Sequence, residues 1–476
     1  MALSCEHDEL SRRRQVKRPY LQPYSTYKVS GVPWLSSIPD QWNFGRTKFL
    51  FKEKDQRSGE HGGVLLSLTR HRGLIPQSEA SNRIASVQDT SNYRVCRRGD
   101  LVMNRMQAWS GMFAVSSYEG VVSPDYSVFE AVVPMEVRFF ESLFRTPIIV
   151  SQFALRSKGI GDGFNRLYAN NFGDVPVPIP PLPEQTAIVR FLDHVGRRIQ
   201  HYINSKQKLI ALLEEKKQTI IHEAVTGQID VRTGKPYPAY KSSEVEWLGD
   251  VPEHWEVRRL KTLCRMKSGD GITAVSIESE GKYPVYGGNG LRGYTAKYTH
   301  SGDFALIGRQ GALCGNVHIA RGQFYASEHA VVATLDPGYV LEWFVPVLGE
   351  MDLNRYSIAA AQPGLAVERI LNLSLPVPPS GEQANIATFI ERQSGDSDNS
   401  INKTRRQIDL IREYHTRLIA DVVTGKVDVR DTMGELPGAD SIADLELDGT
   451  VYDRQSIIGE HQRHVGTEDQ VKELPT

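Results

Sequence analysis

Nucleotide hydrolysis would need a glycine-rich loop ending in Gly-Lys-Ser/Thr, but Gly234-Lys235 is followed by Pro236, so a phosphate-cradling loop is unsupported. The glycines at Gly159-Ile160-Gly161-Asp162-Gly163 have no preceding strand-to-helix context and read as a turn. Amino-methyl transfer calls for Asn/Asp-Pro-Pro-aromatic, whereas Pro180-Pro181 and Pro378-Pro379 are followed by Leu182 and Ser380. Pro124-Asp125 could open a nuclease carboxylate pair, yet no nearby Asp/Glu-x-Lys completes it in the next few strands. His461 and His464 fall in a polar tail, and His318 and His329 read as surface or core histidines, so metal-ligand spacing is missing. The four cysteines, Cys5, Cys96, Cys264 and Cys314, are scattered, which argues for a reducing cytoplasm and against a disulfide or zinc framework. The residues thus describe a chain that recognises something without transforming it: a non-enzyme with no cofactor of its own.

The elements that would position a recognition surface occur twice. Glu184-Gln185 opens a segment that closes on Val225-Thr226-Gly227-Gln228-Ile229-Asp230-Val231-Arg232; Glu382-Gln383 opens another that closes on Val423-Thr424-Gly425-Lys426-Val427-Asp428-Val429-Arg430. Neither copy has gained or lost a residue, which suggests packed rods, because loops tolerate insertion and helical contacts do not. Ile188, Leu192, Val195, Ile199, Tyr202, Leu209, Leu213 and Ile220 trace a heptad seam interrupted by Lys206 and Lys216, predicting a coiled-coil helix of roughly 38 residues. The second copy keeps Ile386, Ile390, Ile408, Ile411, Leu418 and Val422 but is polar from Ser394 to Ser400 and contains Gly395, which predicts a kink there. Gly227 and Gly425 stand where a helix needs a left-handed C-terminal residue.

A second element repeats ahead of each rod. Trp34-Leu35-Ser36-Ser37-Ile38-Pro39-Asp40-Gln41-Trp42 matches Trp247-Leu248-Gly249-Asp250-Val251-Pro252-Glu253-His254-Trp255, with Pro23-Tyr24 and Pro236-Tyr237 upstream at the same spacing. These read as extended segments pinned by aromatic anchors. Between anchor and rod lie two regions of short β-rich runs and glycine turns, different in length and almost wholly in sequence. Their one clear correspondence is a Gly-Asp-apolar strand, Gly99-Asp100-Leu101 against Gly302-Asp303-Phe304. Both return to the rod through proline-rich turns, which set the helix starts. The chain therefore divides into an arm, 1–19; anchor and first variable domain, 20–183; helix, 184–232; anchor and second variable domain, 233–379; helix, 380–430; and an acidic tail, 431–476.

A net charge of −1 conceals this division. The tail carries 11 acids against 3 Lys/Arg, leaving the rest at +7; that permits a polyanionic partner without requiring one. No run approaches the ~18–20 apolar residues of a membrane span, so no membrane partner is expected.

Taken together, Glu-Gln-x-x-Ile-x-x-Phe at Glu184-Gln185-Ile188-Phe191 and Glu382-Gln383-Ile386-Phe389, the closing Val-Thr-Gly-x-Ile/Val-Asp-Val-Arg, and the duplicated Trp-Leu-x-x-Ile/Val-Pro-x-x-Trp resemble the specificity (S) subunits of type I restriction-modification enzymes. The resemblance covers residues 20 to 430 in family order. It implies an α+β chain: two α/β target recognition domains joined by two long antiparallel coiled-coil helices, related by an internal pseudo-two-fold repeat. It also implies double-stranded DNA as ligand, each domain reading one half of a bipartite, asymmetric site. The helices would set the spacer and dock two methyltransferase (M) subunits carrying S-adenosylmethionine for adenine methylation, while restriction (R) subunits would add ATP- and Mg-dependent cleavage. The rival from another class is a coiled-coil scaffold carrying two modules that do not bind DNA. On the DNA reading, Arg, Asn and Gln in glycine-flanked loops are the types that pair bidentately with guanine or adenine edges. The candidates are Arg70, Arg72, Asn104, Arg105 and Gln107 in the first domain and Asn289, Arg292, Arg309 and Gln310 in the second.

Overall fold

A computed structural model describes residues 21–59, 62–80, 89–159, 165–311, 314–357 and 364–431. The arm 1–19, almost all of the acidic tail with His461 and His464, and most of the glycine turn at Gly159 lie outside the described residues. The chain divides into two compact units, one of residues up to Gln200 together with those from Arg412 onward, the other His201–Ile411. Both are α+β.

In the first unit, alternating apolar strands build an antiparallel sheet in the order β2–β5–β3–β4, from β2 (Phe51–Lys54), β3 (Leu101–Asn104), β4 (Phe113–Val115) and β5 (Tyr126–Ala131). The chain enters through β1 (Asn43–Arg46) and leaves through β6 (Pro176–Ile179), and these two strands pair with each other as a neck. One face of the sheet is covered by helices Val137–Phe144 and Pro147–Arg156; Glu136 caps the first with its side chain, and Pro147 occupies the first turn of the second. Their rings close a phenylalanine core in which Phe172 lies 4.8 Å from Phe129 and 5.3 Å from Phe144, centroid to centroid.

The second unit repeats this plan. Its sheet runs β8–β11–β9–β10, from β8 (Cys264–Ser268), β9 (Phe304–Gly308), β10 (Val317–Ala320) and β11 (Ala330–Leu335), all antiparallel. Its neck pairs β7 (Glu256–Arg259) with β12 (Ser374–Val377). The correspondence between the variable regions is therefore far wider than the single Gly-Asp strand, because a ladder of backbone bonds is indifferent to most side chains. The Gly-Asp pair itself diverges in role: Asp100 is buried against Lys54 at 2.6 Å, whereas Asp303 is an exposed partner of Arg321.

The predicted rods are α1 (Leu182–Thr226, 45 residues) and α2 (Ser380–Val423, 44 residues). α1 starts earlier than the proline-rich turn suggested, since Pro183 fits a first turn, where no N–H partner is needed. In the first unit Ile188, Val189 and Leu192 pack with Leu418, Val422 and Val423; in the second Ala224 and Val225 pack with Ile386, Ala387 and Ile390. Within each unit, then, the start of one helix meets the end of the other, and the pair is antiparallel.

The seam departs from the sequence expectation in register. Tyr202 and Leu209 are exposed, and the buried or half-buried stripe passes instead through Ile203, Lys206, Ile210, Leu213 and Lys217. An extra four-residue step, Ile199 to Ile203, shifts the frame, as the 3.6-residue repeat of a straight helix allows. Nor does α2 break at Gly395: Ser397, Ile401 and Thr404 continue its buried stripe, and the hydroxyl of Thr404 donates to the carbonyl of Ser400. Short polar side chains that bond their own helix can occupy a seam without an orphaned group. Lys217, half-buried, reaches Asp398 at 2.7 Å.

The aromatic anchors close each unit on the helix ends. Gly227 (φ +78°) and Gly425 (φ +76°) are left-handed as expected, and a Cβ on either would lie 2.5 Å from Cδ of Pro252 or Pro39 respectively. Glycine is required twice over, by conformation and by space. Buried Glu184 accepts from the Tyr24 hydroxyl at 2.5 Å and from Trp42 Nε1 at 2.9 Å; burial and this carboxylate push the Tyr24 phenol well above its ordinary value. In the second unit Glu382 takes Tyr237 and His254 instead, and Trp255 Nε1 has no hydrogen-bond partner among the described residues. Replacing Glu184 by Ala leaves two donors unpaired and is expected to destabilise the first unit by about 2–5 kcal/mol. Glu184→Gln, which keeps the accepting oxygen, should lose under half as much. Urea unfolding checks both, and an alanine variant within ~0.5 kcal/mol of the parent, inside the noise of surface substitutions, would refute the assignment.

Candidate nucleic-acid interface

In the first unit β3 runs out at Asn104 into a tight turn that ends at Gly111 (φ +86°). Asn104 folds over it: Oδ1 accepts from the Met106 N–H at 3.0 Å, and Nδ2 donates to Gln107 Oε1 at 3.2 Å. Ser110 Oγ donates to the Gln107 carbonyl at 2.8 Å, and Trp109 Nε1 to the Met106 carbonyl at 2.8 Å. The Asn104 amide is thus occupied within the turn, while Gln107 is exposed. Arg105 donates from Nε to the Asp125 carbonyl at 3.0 Å and from Nη2 to the Pro124 carbonyl. Burial lowers its pKa from the ordinary arginine value, and Arg166 approaches the neighbouring Asp125 carboxylate at 3.8 Å.

Arg70 and Arg72 lie on the hairpin Leu66–Thr69 and Gly73–Pro76. Arg72 is paired with Glu79 at 3.0 Å. Arg70 is exposed; its carbonyl accepts from Arg145, whose Cα lies 3.5 Å from where a Cβ on Gly111 would stand. Arg145 therefore links the hairpin to the turn, and all five first-domain candidates share one region.

The second unit holds the same turn in other residues. Asn104 N–H donates to the Met112 carbonyl at 3.1 Å and Gly308 N–H to that of Asn316 at 2.8 Å. Arg105 N–H meets the Asp125 carbonyl at 3.4 Å and Arg309 N–H that of His329 at 2.8 Å. The carbonyls of Arg105 and Arg309 each accept at 2.9 Å, from Leu167 and Leu365. Arg105 and Arg309 therefore occupy one structural position. Gln310 is exposed beside His329, with Oε1 3.1 Å from Nδ1. The hairpin carrying Asn289 and Arg292 abuts this turn: a Cβ on Gly288 would lie 3.3 Å from the carbonyl oxygens of Gln310 and His329. All four second-domain candidates are thus gathered on one surface. Sequence reasoning passed over Trp109 and Arg166 and read His329 only as a surface or core histidine, yet all three lie at the same places; an aromatic within a polar, glycine-ended turn was the available signal for the first.

The model of a known sequence family, the Type I restriction modification DNA specificity domain, matches residues 139–211 and 252–409. These two segments, just under half of the chain, carry its likeness to this family. Among its relatives, the specificity subunit of type I restriction enzyme EcoprrI from Escherichia coli is 41% identical over 162 residues, 33% of this chain and 40% of that one. The specificity subunit of type I restriction enzyme MjaVIII from Methanocaldococcus jannaschii is 21% identical over 308 residues, 58% of this chain and 68% of that one. The match to the E. coli relative thus spans less than half of its length. A solved chain from work on complex assembly and conformational transition of the type I R-M system superposes with a TM-score of 0.64 at 17% identity, covering 82% of this chain and 99% of that one. At that identity the likeness concerns the fold alone, sheet-bearing α+β units with long helices.

Proposed function

We propose that this chain is the sequence-reading, non-catalytic specificity subunit of a type I restriction-modification system. Each variable domain, within 20–183 and 233–379, reads one half of a bipartite DNA site, and the helices set the spacer and dock two methyltransferase subunits. S-adenosylmethionine would then belong to those subunits, and ATP and Mg to restriction subunits, in the cytoplasm. The observation that supports the reading is the duplicated turn: one backbone frame, held by the same hydrogen bonds at Arg105 and Arg309, carries exposed Gln107 in one domain and exposed Gln310 in the other. A frame that is constant while its donors and acceptors change is what two different half-sites require.

Methylome sequencing of a host carrying this chain with its methyltransferase partner should return one bipartite, asymmetric motif. Retention of that motif by the purified complex should weaken on the order of 1,000-fold or more between 50 and 200 mM salt, as displacement of counterions from several phosphates demands. Salt-independent retention, or none, would favour the scaffold reading. Micromolar binding of S-adenosylmethionine by the isolated chain would remove the non-catalytic assignment.

A further inference from the structure

All six tryptophans lie among the described residues, and Trp109 is the exposed one, at 38%. Its setting is unlike that of a stray surface ring. The indole N–H is consumed by the Met106 carbonyl, the turn beneath it is tied by Asn104 and Ser110, and left-handed Gly111 packs against Val150 at 3.0 Å, measured from an added Cβ. The ring is consequently held still and carries no hydrogen-bonding group that is free, so only its apolar faces are left to act. Gln107, two residues earlier on the same turn, is exposed, with its Oε1 engaged by Asn104 Nδ2. A rigid aromatic plane beside an amide donor is suited to a base step, because ordering it costs little entropy on contact and base faces stack on any aromatic ring.

We infer that Trp109 is a wedge that enters a base step of the first half-site while Gln107 addresses the adjoining base edge. This deepens the DNA reading proposed above and rests on it. The wedge belongs to the first domain alone, since spacing along the duplicated turn places Leu313, outside the described residues, at the matching position.

The test uses the full chain in complex with its methyltransferase partner and a duplex bearing the methylated motif. Trp109→Ala should weaken binding roughly 10- to 100-fold, the range for losing one aromatic–base contact. Trp109→Phe, which keeps a ring but lacks the N–H donor, should stay within about fivefold of the parent on the same scale. 2-Aminopurine placed in turn at each step of the first half-site should brighten on binding at one step, and Trp109→Ala should abolish that change while 2-aminopurine in the second half-site is unaffected. Binding by the alanine variant within twofold of the parent would overturn the wedge. So would a phenylalanine variant as weak as the alanine one, since the bond to Met106 and not the ring face would then matter. A parent complex with no preference for its motif over unrelated duplex would instead overturn the DNA reading itself.

Discussion

A chain ended at Arg232 is expected to form a homodimer and, with the methyltransferase partner of the proposed function, to direct methylation to an inverted repeat of the first half-site. Ile188, Val189 and Leu192 are covered by Leu418, Val422 and Val423 in the first unit, and truncation strips that cover away. Residues 198 positions earlier make the same contact in the second unit, where Ala224 and Val225 lie on Ile386, Ala387 and Ile390. A second truncated copy can therefore place its Ile220, Ala224 and Val225 where Leu418, Val422 and Val423 were. The anchors agree. Tyr27 donates to the Lys426 carbonyl at 3.4 Å and Tyr240 to that of Gln228 at 3.2 Å, so Gln228 of a second copy can replace Lys426. Such a contact is self-complementary and closes on a two-fold axis, and two identical readers on that axis must see a palindrome.

Mid-seam the exchange is balanced. Ile199 takes the place of buried Ser397, which adds apolar burial, but Lys206 takes that of Thr404, and Lys217 loses Asp398. That partly exposed pair contributes about 0–1 kcal/mol, less than re-covering three aliphatic side chains at ~1.5–3 kcal/mol each. Sedimentation showing only a monomer at micromolar concentration, or methylation confined to the asymmetric motif, would rule this out.

Exchanging residues 43–181 for the corresponding segment of a relative should rewrite one half of the target and leave the other unchanged. The first domain is inserted through a two-stranded neck, Asn43–Arg46 on Pro176–Ile179, and the second through Glu256–Arg259 on Ser374–Val377, with the first residue of each entering strand opposite the last of the leaving one. Beyond the neck, Gln185 accepts from the Glu136 N–H at 2.9 Å and donates to the Pro180 carbonyl at 2.8 Å. Gln383 does the same with Val340 and Pro378. These stitches use backbone groups on the domain side, so an incoming domain needs the right chain path and few particular side chains. Methylation of the original motif should fall on the order of 100-fold or more, since several mismatched pairs each cost ~1–3 kcal/mol. A motif altered in both halves would show that the readers are coupled.

The duplication was legible in the amino-acid order because it is written in side chains that have one job at one distance. Gly227 and Gly425 must be left-handed beneath Pro252 and Pro39, Trp42 and Trp255 must fill the same space, and a packed helix cannot lose a residue without turning its seam away. The common frame of the readers was hidden, because backbone hydrogen bonds place few demands on side chains and β-ladders absorb a residue at a turn. Gly99 to Arg105 spans one residue fewer than Gly302 to Arg309, yet both arginines end in the same bonds. Side-chain type alone also singled out Arg105 and Gln107 equally. Folding separates them, drawing the guanidinium of Arg105 onto the carbonyls of Pro124 and Asp125, twenty residues away, and leaving the amide of Gln107 and the ring of Trp109 on the surface. Which polar groups are already satisfied depends on distant chain segments meeting, and only the tertiary structure decides that.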